Sequence, residues 1–321
     1  MTEPRETPAV SVIIPAYNAE RVLGLQLDAL ATQDGTEAFE VIVVDNNSTD
    51  GIVALVRERA AGFPVPLRVL PAAEHQGPGY ARNVGASAAA AERLMFADVD
   101  DVVSRWWVRH GLRAFEASSF WSGGARLMTD AEMAGGLDRI RAAMGDTDEW
   151  IDVIHGDVSN AFPVLMGGDF GTTREVFERL DGFDISLGGV YEDNDLGVRA
   201  HRAGIAVDDA PAVRIAFRGK WDVRFRTRLA RRSACAHAVV ANRYGLKKRS
   251  HFPSPWAELP RAVGSAALMV AGRKQPDWAG VWIRINTAAG HAWGQTMGRL
   301  PGRADTHPAT GVGLRAEEEQ A

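Results

Sequence analysis

Three carboxylates lie close together in the stretch LMFADVDDVV, which covers residues 94–103. Asp98, Asp100 and Asp101 directly follow a short apolar run. In an extended or turning backbone, side chains two residues apart can reach one ligand, and two hard carboxylates beside a phosphate favour Mg²⁺ or Mn²⁺. The cation would relieve the repulsion between the acids and hold a diphosphate. A solvated acidic turn ahead of a helix at Ser104 also fits these residues.

The strands and helices predicted around these acids place them at an edge of a sheet where ligands commonly bind. Apolar, β-branched runs predict buried strands within residues 10–18, 39–51, 66–71 and 93–100, with helices at 19–33 and 77–92. Strands alternating with helices predict a doubly wound, Rossmann-like and mostly parallel α/β sheet. In such sheets the ligand crevice lies at the carboxyl ends of the strands. We therefore expect residues 15–18, 45–47 and 98–101 to converge in space.

The second half of the chain is less regular. Its patterns predict helices at 104–118 and 131–143, and a further helix at 191–204 with an acidic first turn and a glycine stop. We expect one α/β domain at residues 1–217 and a C-terminal helical region at 218–300. The polar tail at 301–321 is expected to be disordered.

The composition narrows the function classes. Of 321 residues, 46% are hydrophobic, which allows a sizeable core, and the net charge of −5 gives no global case for nucleic-acid binding. Cys235 is the single cysteine, which fits a reducing cytoplasm. The polar N-terminus does not resemble a signal peptide, and the apolar run at 263–271 is too short to span a bilayer. We expect a soluble, cytoplasmic protein, with peripheral contact to the inner face of the membrane left open.

Six motifs occur in a characteristic order and spacing. They are SVIIPAYN, VIVVDNNSTDG, GPGYARNVGA, MFADVDD, GGDFGTTREVFERLDGFD and EDNDLGVRAHRAG. Together they resemble the family 2 glycosyltransferases over residues 10–245. The resemblance implies the GT-A fold and a hexosyltransferase that uses a nucleoside-diphosphate sugar. Residues 8–103 would form the nucleotide-binding half and residues 104–217 the acceptor side.

The resemblance implies a place for the nucleobase. Pro15, Ala16 and Tyr17 would flank the base, and Asp45 would accept a hydrogen bond from its ring N–H. The residue types agree with these roles, because an aromatic ring can cover a base and a carboxylate only accepts hydrogen bonds.

The resemblance also implies how the diphosphate is held. Arg82 would lie near the nucleotide, and Asp98 would approach the ribose or the metal. Asp100 would be the principal ligand of a divalent cation, Mn²⁺ or Mg²⁺, and Asp101 would cap the following helix. Bound there, the cation would stabilise the diphosphate leaving group.

The resemblance places the acid–base chemistry at the Glu192–Asp193 pair. Inverting transfer needs one base that takes the acceptor hydroxyl proton during in-line attack on the anomeric carbon. By position Asp193 is that base, while Glu192 and Asp195 orient the loop or touch the acceptor. An acid stabilised at a helix N-terminus would also account for Asp193.

Two departures from the family pattern limit what is carried over. Many metal-dependent members have a late His as a further metal ligand, but the corresponding PAVRIAFRGKW contains Arg214 and Arg218 instead. One interpretation is that these arginines meet the diphosphate or an anionic acceptor, whereas a basic surface or ordinary salt bridges would explain most of the nearby charges. The QxxRW motif and membrane helices of processive synthases are missing from this sequence, which favours transfer of a single sugar.

The C-terminal helical region combines basic and aromatic residues. Residues 218–249 carry eleven Lys or Arg against one acid, and four tryptophans follow at positions 256, 278, 282 and 293. A helical hairpin that packs on the catalytic domain or on a second subunit is the favoured interpretation. Docking onto anionic lipid, where a lipid-linked acceptor would lie, is the alternative.

The whole pattern predicts an inverting glycosyltransferase that moves one sugar from a nucleoside-diphosphate donor, with UDP-sugar favoured, to a hydroxyl acceptor. The acceptor would be a glycan, a lipid-linked molecule or a small molecule, and nucleic acid is not expected. A nucleotidyltransferase would carry a glycine-rich first loop ending in basic residues, which VIIPAYNAE lacks. A non-catalytic nucleotide-sugar-binding relative would be expected to lack Asp100 or Asp193.

Overall fold

The computed structural model describes residues 7–35, 37–250, 254–297 and 308–314. The chain divides into two compact units. The first, here called the sheet unit, comprises Met1–Ile185, Glu192–Gly219 and Thr310–Ala321 apart from residues that are not described. The second, the helical unit, comprises Ser186–Tyr191 and Lys220–Ala309 with the same exception.

The strands of the sheet unit form one mixed sheet. Its described strands are β1 (Val10–Ala16), β2 (Phe39–Asp45), β3 (Leu67–Pro71), β4 (Arg93–Ala97), β5 (Val102–Val103), β6 (Phe120–Met128), β7 (Asp169–Thr173) and β8 (Asp208–Arg218). They are ordered β3-β2-β1-β4-β7-β6-β8-β5. The strands β3, β2, β1 and β4 are parallel, as predicted. Beyond β4 the pairing is mixed, because β7 runs antiparallel to both β4 and β6 while β6 and β8 are parallel.

Helices cover both faces of this sheet. They are α1 (Glu20–Ala31), α2 (Ile52–Ala60), α3 (Pro78–Ala88), α4 (Trp107–Ala117), α5 (Asp130–Met133), α6 (Leu137–Met144), α7 (Arg174–Arg179) and α8 (Glu192–Arg202). The helix predicted at 104–118 begins at Trp107. The one predicted at 131–143 is two short helices, separated where Gly136 has a positive φ of 85°.

The core explains why the first strands are apolar on both sides. Ile14 and Val43 belong to one buried cluster, and the neighbouring Ile13 belongs to a second. Successive strand residues point to opposite faces, so a strand covered on both faces needs a continuous apolar run. In the second cluster Phe96 stacks on Phe170 with ring centroids 4.4 Å apart.

The helical unit consists of three main helices in its described part: α9 (Val223–Arg243), α10 (Pro255–Val270) and α11 (Trp278–Met297). Helix α11 packs on both α9 and α10. A Cβ at Gly290 would lie 2.1 Å from the Arg231 carbonyl oxygen, and one at Gly294 would lie 2.3 Å from that of Cys235. These glycines therefore allow α9 and α11 to approach closely. Among the residues described, none of the helices has the length and apolarity needed to cross a bilayer.

The end of the chain returns to the sheet unit. The backbone N–H of Gly311 donates to the Asp181 carbonyl over 2.7 Å, and Asn83 Nδ2 donates to the Val312 carbonyl over 2.9 Å. Leu314 is buried. Residues 310–314 are therefore packed, which differs from the disorder predicted for 301–321; residues 301–307 and 315–321 lie outside the described part.

Candidate functional site

The turns after β1 and β2 are tied together at the carboxyl edge of the sheet. Ala16 pairs with Asp45 in the parallel register. Asn18 donates its backbone N–H to Ser48 Oγ over 3.0 Å, and its Oδ1 accepts from the Thr49 N–H over 2.8 Å. Asn18 has a positive φ of 48°, a conformation that Asn tolerates better than most residues. These bonds hold two loops that are distant in sequence in one fixed arrangement.

The residues predicted to bind the nucleobase lie at these strand ends. Pro15 and Ala16 are buried in β1, whereas the Tyr17 side chain is 55% exposed. Asp45 Oδ1 accepts from the backbone N–H of Ser48 over 3.0 Å, which orients the carboxylate. The structure thus brings the four residues to adjoining positions; their contact with a base stays a prediction.

Asn46 connects this edge to the helix that carries Arg82. Its side chain is buried, its Oδ1 accepts from the Gly77 N–H over 2.7 Å, and its Nδ2 donates to the Ala72 carbonyl over 2.6 Å. Gly77 is the N-cap of α3. The start of α3 is therefore positioned directly from the end of β2.

A buried arginine on α3 gathers the acids of two other segments. Arg82, on α3, is only 3% exposed. Its Nη2 donates to Asp98 Oδ1 over 2.6 Å, and its Nη1 donates to Glu192 Oε1 over 3.4 Å. Asp98 follows β4, and Glu192 begins α8 beside Asp193. We call Arg82, Asp98, Glu192 and Asp193 the arginine–acid cluster.

Two consecutive glycines let the cluster approach the backbone before β7. The N–H of Gly167 donates to Asp193 Oδ2 over 3.2 Å. A Cβ at Gly167 would lie 3.0 Å from that oxygen, and one at Gly168 would lie 2.7 Å from Asp98 Oδ2. In the sequence this glycine pair is visible only as part of a motif, whereas the structure shows its steric role.

Burial raises the proton affinity of the acids in the cluster. The pKa of Glu192 is raised to about 7, mainly by burial and secondly by the negative charge of Asp193. Burial likewise raises the pKa of Asp193, against the opposing effect of hydrogen bonds from Asn194 and Gly167 and of the charge of Arg82. Burial by itself would lower the pKa of Arg82, but Asp98, Glu192 and Asp193 raise it overall. The arginine therefore stays charged among three acids.

A buried glutamine braces the turn that contains the DVDD residues. Gln26 on α1 is fully buried, its Nε2 donates to the Asp98 carbonyl over 3.2 Å, and its Oε1 accepts from the Val103 N–H over 3.1 Å. In the sequence Gln26 stands at a helical interval between Leu23 and Leu30, and this spacing alone predicts a place on the packing face of the helix. A polar residue on an otherwise apolar face was the signal for this role.

Comparison with known proteins agrees with this arrangement. The family model for glycosyl transferase family 2 matches residues 11–127. The matched segment therefore carries the glycosyl transferase family 2 pattern that the motifs predicted. The match covers β1 to β6, including Arg82 and the DVDD turn, whereas Glu192 and Asp193 lie beyond it.

Curated relatives of this chain are glycosyltransferases. An uncharacterized glycosyltransferase of Bacillus subtilis, YfnE, is 28% identical over 241 residues, which is 61% of each chain. The poly(ribitol-phosphate) beta-N-acetylglucosaminyltransferase TarS of Staphylococcus aureus is 36% identical over 96 residues, 30% of this chain and 17% of TarS. The chain thus spans less than two thirds of the length of these relatives.

Solved structures support the GT-A fold predicted for this chain. The mannosyltransferase PcManGT from Pyrobaculum calidifontis, in complex with GDP-Man and Mn²⁺, superposes with a TM-score of 0.60 at 22% identity over 90% of this chain and 88% of that one. Staphylococcus aureus TarS 1–349 superposes with a TM-score of 0.50 at 17% identity, over 88% and 90% of the two chains. The predicted fold is confirmed.

Of the two arginines noted in place of the family's late His, one reaches the DVDD turn. Arg218 donates its backbone N–H to Asp101 Oδ1 over 2.8 Å and its Nε to the Asp100 carbonyl over 3.0 Å. Its Nη1 also pairs with Asp130 over 2.7 Å. Arg214 instead donates to backbone carbonyls at residues 211 and 145.

Asp101 does not cap the following helix as predicted. Helix α4 has Trp106 at its N-cap position, without a side-chain cap hydrogen bond. Asp101 is buried and receives the backbone N–H of Arg218 because β8 runs beside this turn. The third acid of the motif therefore shapes the turn from within.

Asp195 is directed toward a loop. It is fully buried on α8, and its Oδ2 accepts from Arg199 Nε over 2.7 Å. Arg199 Nη1 in turn donates to the Leu180 carbonyl. This geometry suits the loop-orienting role that the resemblance suggested for Asp195, which stays a prediction.

The residues of the DVDD turn fit a cation that is shared with a bound phosphate. Within the described ranges, no group of three or more His, Cys, Asp or Glu side chains could hold a metal ion by itself. Asp98 and Asp100 follow β4 in the DVDD turn, and the Asp98 side chain is partly exposed. Mg²⁺ is commonly held by one or two carboxylates together with substrate phosphates. Two carboxylates therefore suffice when a diphosphate supplies the remaining ligands.

Proposed function

We propose that this chain is an inverting glycosyltransferase that moves a single sugar from a nucleoside-diphosphate sugar to a hydroxyl acceptor. The observation that carries the proposal is the arginine–acid cluster at the carboxyl edge of the sheet. Arg82 joins the acid after β4 to the Glu192–Asp193 pair at the start of α8. The donor-side and acceptor-side residues of a transfer reaction are thereby held within one buried network.

The donor would bind along the strand ends. The exposed Tyr17 ring is available to cover the base, and Asp45 would accept from its ring N–H. Asp98 and Asp100 would hold a divalent cation jointly with the diphosphate. When bound, the cation supplies positive charge that stabilises the departing diphosphate. PcManGT was solved with GDP-Man and Mn²⁺ and TarS with UDP-GlcNAc, which supports this donor class; a UDP-sugar is the favoured donor.

Asp193 would act as the base. The acceptor hydroxyl transfers its proton to the Asp193 carboxylate while its oxygen bonds to the anomeric carbon, and the bond from that carbon to the diphosphate breaks on the opposite side. Burial raises the pKa of Asp193, which makes its carboxylate a better proton acceptor. Hydrogen bonds from the Gly167 N–H and from Asn194 hold the carboxylate in place.

Glu192 would act on the same site through Arg82. Its carboxylate lies 3.4 Å from Arg82 Nη1, and Asp98 lies on the other terminal nitrogen. Glu192 would therefore set the position of the arginine relative to the diphosphate site. In this proposal Asp195 keeps the loop at Leu180 in place and takes no part in proton transfer.

A binding panel tests the donor site first. Unfolding temperatures would be measured with UDP, GDP, dTDP and CMP, each with and without Mn²⁺. We expect stabilisation by one nucleoside diphosphate that increases with Mn²⁺, of about 2.7 kcal/mol at a hundred times its dissociation constant. Asp100→Ala should remove the increase caused by the metal, while the exposed control Asp138→Asn should keep it. An absence of stabilisation by every nucleotide would contradict the proposal.

A turnover assay then tests the base. With the donor identified by the panel, release of the nucleoside diphosphate would be followed over candidate hydroxyl acceptors. Asp193→Asn should retain donor binding and lose turnover by about 10²–10⁴-fold, which is the usual contribution of a general base. Turnover near the wild-type rate would place the base elsewhere. Donor binding by the wild-type chain without turnover on any acceptor would favour a nucleotide-sugar-binding protein.

A further inference from the structure

Helix α10 presents an apolar stripe to solvent. Trp256, Val263 and Val270 are 84%, 69% and 79% exposed. They are spaced seven residues apart, which places them on one face of the helix. Leu259, also exposed, falls on the same face. An apolar stripe of this kind on a small unit of three helices is costly in water and marks a surface that meets another molecule.

Helix α11 shows a second stripe, made of tryptophan. Trp278, Trp282 and Trp293 each have more than half of their surface exposed. Intervals of four and eleven residues bring all three to one face. Tryptophan has an apolar body and a polar N–H, and it is enriched where hydrocarbon meets water.

The start of α9 interleaves apolar and basic residues. Trp221, Phe225 and Leu229 follow one another at four-residue intervals, and all three are exposed. Arg224 and Arg228 lie directly before Phe225 and Leu229 in the sequence. An apolar line bordered by arginines is typical of helices that lie in a lipid interface.

The helical unit carries a large positive charge. Residues 220–297 contain fourteen Lys or Arg and three acids, a net charge of +11 in a chain whose total is −5. The three acids already have partners. Asp222 and Asp277 accept backbone N–H groups in the first turns of α9 and α11, and Glu258 pairs with Arg261 over 2.9 Å and Arg284 over 3.1 Å.

We propose that the helical unit docks on the surface of an anionic lipid bilayer. The tryptophans and the α10 stripe enter the headgroup layer, and the Lys and Arg side chains meet lipid phosphates. The proposal does not depend on sugar transfer. A second copy of the chain is a poorer occupant, because its helical unit would bring another net charge of +11 against this one.

Vesicle flotation of the full chain tests this directly. The chain should float with vesicles of phosphatidylcholine and phosphatidylglycerol and stay at the bottom with phosphatidylcholine alone. Raising the salt to about 0.5 M should reduce flotation, because screening shortens the reach of the charges to a few ångströms. Failure to float with the anionic vesicles, or equal flotation with both vesicle types, overturns the proposal.

Paired variants separate the apolar and the electrostatic contributions. Replacing Trp256, Val263 and Val270 together by Ser should weaken vesicle binding at least about a hundredfold. The matched control is Val164→Ser in the sheet unit, which removes an apolar side chain of similar exposure and should leave binding unchanged. Wild-type flotation of the triple variant, with an unchanged melting temperature, contradicts the docking surface.

The charge variant removes Arg224, Arg228 and Lys248 by substitution with Gln. Loss of three basic residues should weaken binding by about a hundredfold. The control is a variant in which three exposed arginines of the sheet unit are replaced by Gln: Arg57, Arg139 and Arg202. This variant should bind vesicles like the wild type. Molar-mass measurement completes the test: a dimer that becomes a monomer in the Ser triple variant, with no flotation of the wild type, would assign the surface to a second copy.

Discussion

The two units of this chain use charge in opposite ways. In the sheet unit, Arg82 is buried and has carboxylates at both of its terminal nitrogens. In the helical unit, basic side chains are spread along α9 and the turn after it, and large apolar side chains are exposed beside them. A buried charge depends on one or two specific partners, whereas an exposed basic patch acts through the total charge of its residues. Single substitutions should therefore have large effects in the first unit and small effects in the second.

The largest expected effect is at Arg82. Arg82→Met removes the cation from a group of three acids and leaves buried carboxylates without compensation, which costs roughly 3–5 kcal/mol. Arg82→Lys keeps the charge but not the two-nitrogen contact, so it should be less destabilised. Urea unfolding of both variants measures the difference. Equal, small losses would show that the acids do not depend on this partner.

The next effect is a pH dependence caused by Glu192. Its pKa is about 7 in the folded chain and near 4.5 when exposed, so the folded state holds the proton more tightly. Stability is therefore fully present below about pH 4.5 and is lost as the pH rises through 7. Glu192→Gln should remove this loss and gain on the order of 1–3 kcal/mol at pH 8 relative to the wild type. Urea unfolding at pH 5 and pH 8 checks it, and parallel pH profiles would contradict it.

A methyl group at Gly168 tests the steric side of the same cluster. Gly168→Ala places a Cβ 2.7 Å from Asp98 Oδ2. The carboxylate must move, so we expect a loss of roughly 1–3 kcal/mol and weaker Mn²⁺-dependent nucleotide binding. Gly124→Ala is the matched control, since its Cβ would have no neighbour nearer than 3.8 Å. Similar behaviour of the two variants would show that the glycine is not required.

Gln26 supports the turn without touching the cluster's arginine. Gln26→Leu leaves the Asp98 carbonyl and the Val103 N–H without their side-chain partner, which costs roughly 1–3 kcal/mol. Thermal unfolding measures the loss of stability. Gln26→Glu keeps the acceptor oxygen but not the N–H donor, so its stability should lie between those of the wild type and of Gln26→Leu. A Gln26→Leu variant as stable as the wild type would show that the turn does not need the hydrogen bonds from Gln26.

The smallest effect is expected for a single basic residue of the helical unit. Arg228→Gln should change the free energy of unfolding by less than about 0.5 kcal/mol, as is usual for exposed positions. Its effect on vesicle flotation should also be smaller than that of the triple charge variant. A large loss of stability would remove the contrast between the two units.

The sequence predicted those parts of the fold that depend on local pattern. The four parallel strands and the loops at their ends follow from continuous apolar runs and turn residues, and the GT-A fold follows from the motifs. Strand β6 was not predicted, because Gly123 and Gly124 interrupt it and indicate a turn in an isolated sequence. The contact of Arg82 with Glu192 joins residues 110 positions apart, so the local hydrophobic periodicity of the sequence does not predict it.

The sequence predicted which residues belong to the site better than it predicted the contacts between them. Arg82, Asp98 and the Glu192–Asp193 pair were identified from motifs. Their ion pairs, the pKa shifts caused by burial and the steric role of Gly167 and Gly168 depend on tertiary packing. In the helical unit the tryptophans were visible as composition. Whether they are packed or exposed depends on how three helices share one interface, which the sequence pattern does not determine.

The order of the segments has a consequence for biosynthesis. Residues 310–314 belong to the sheet unit, and Val312 accepts a hydrogen bond from Asn83, the neighbour of Arg82 on α3. The ribosome makes these residues after the whole of the helical unit. The sheet unit is therefore completed only after the three helices of the helical unit have been synthesised, and Asn83 gains its contact with Val312 only then.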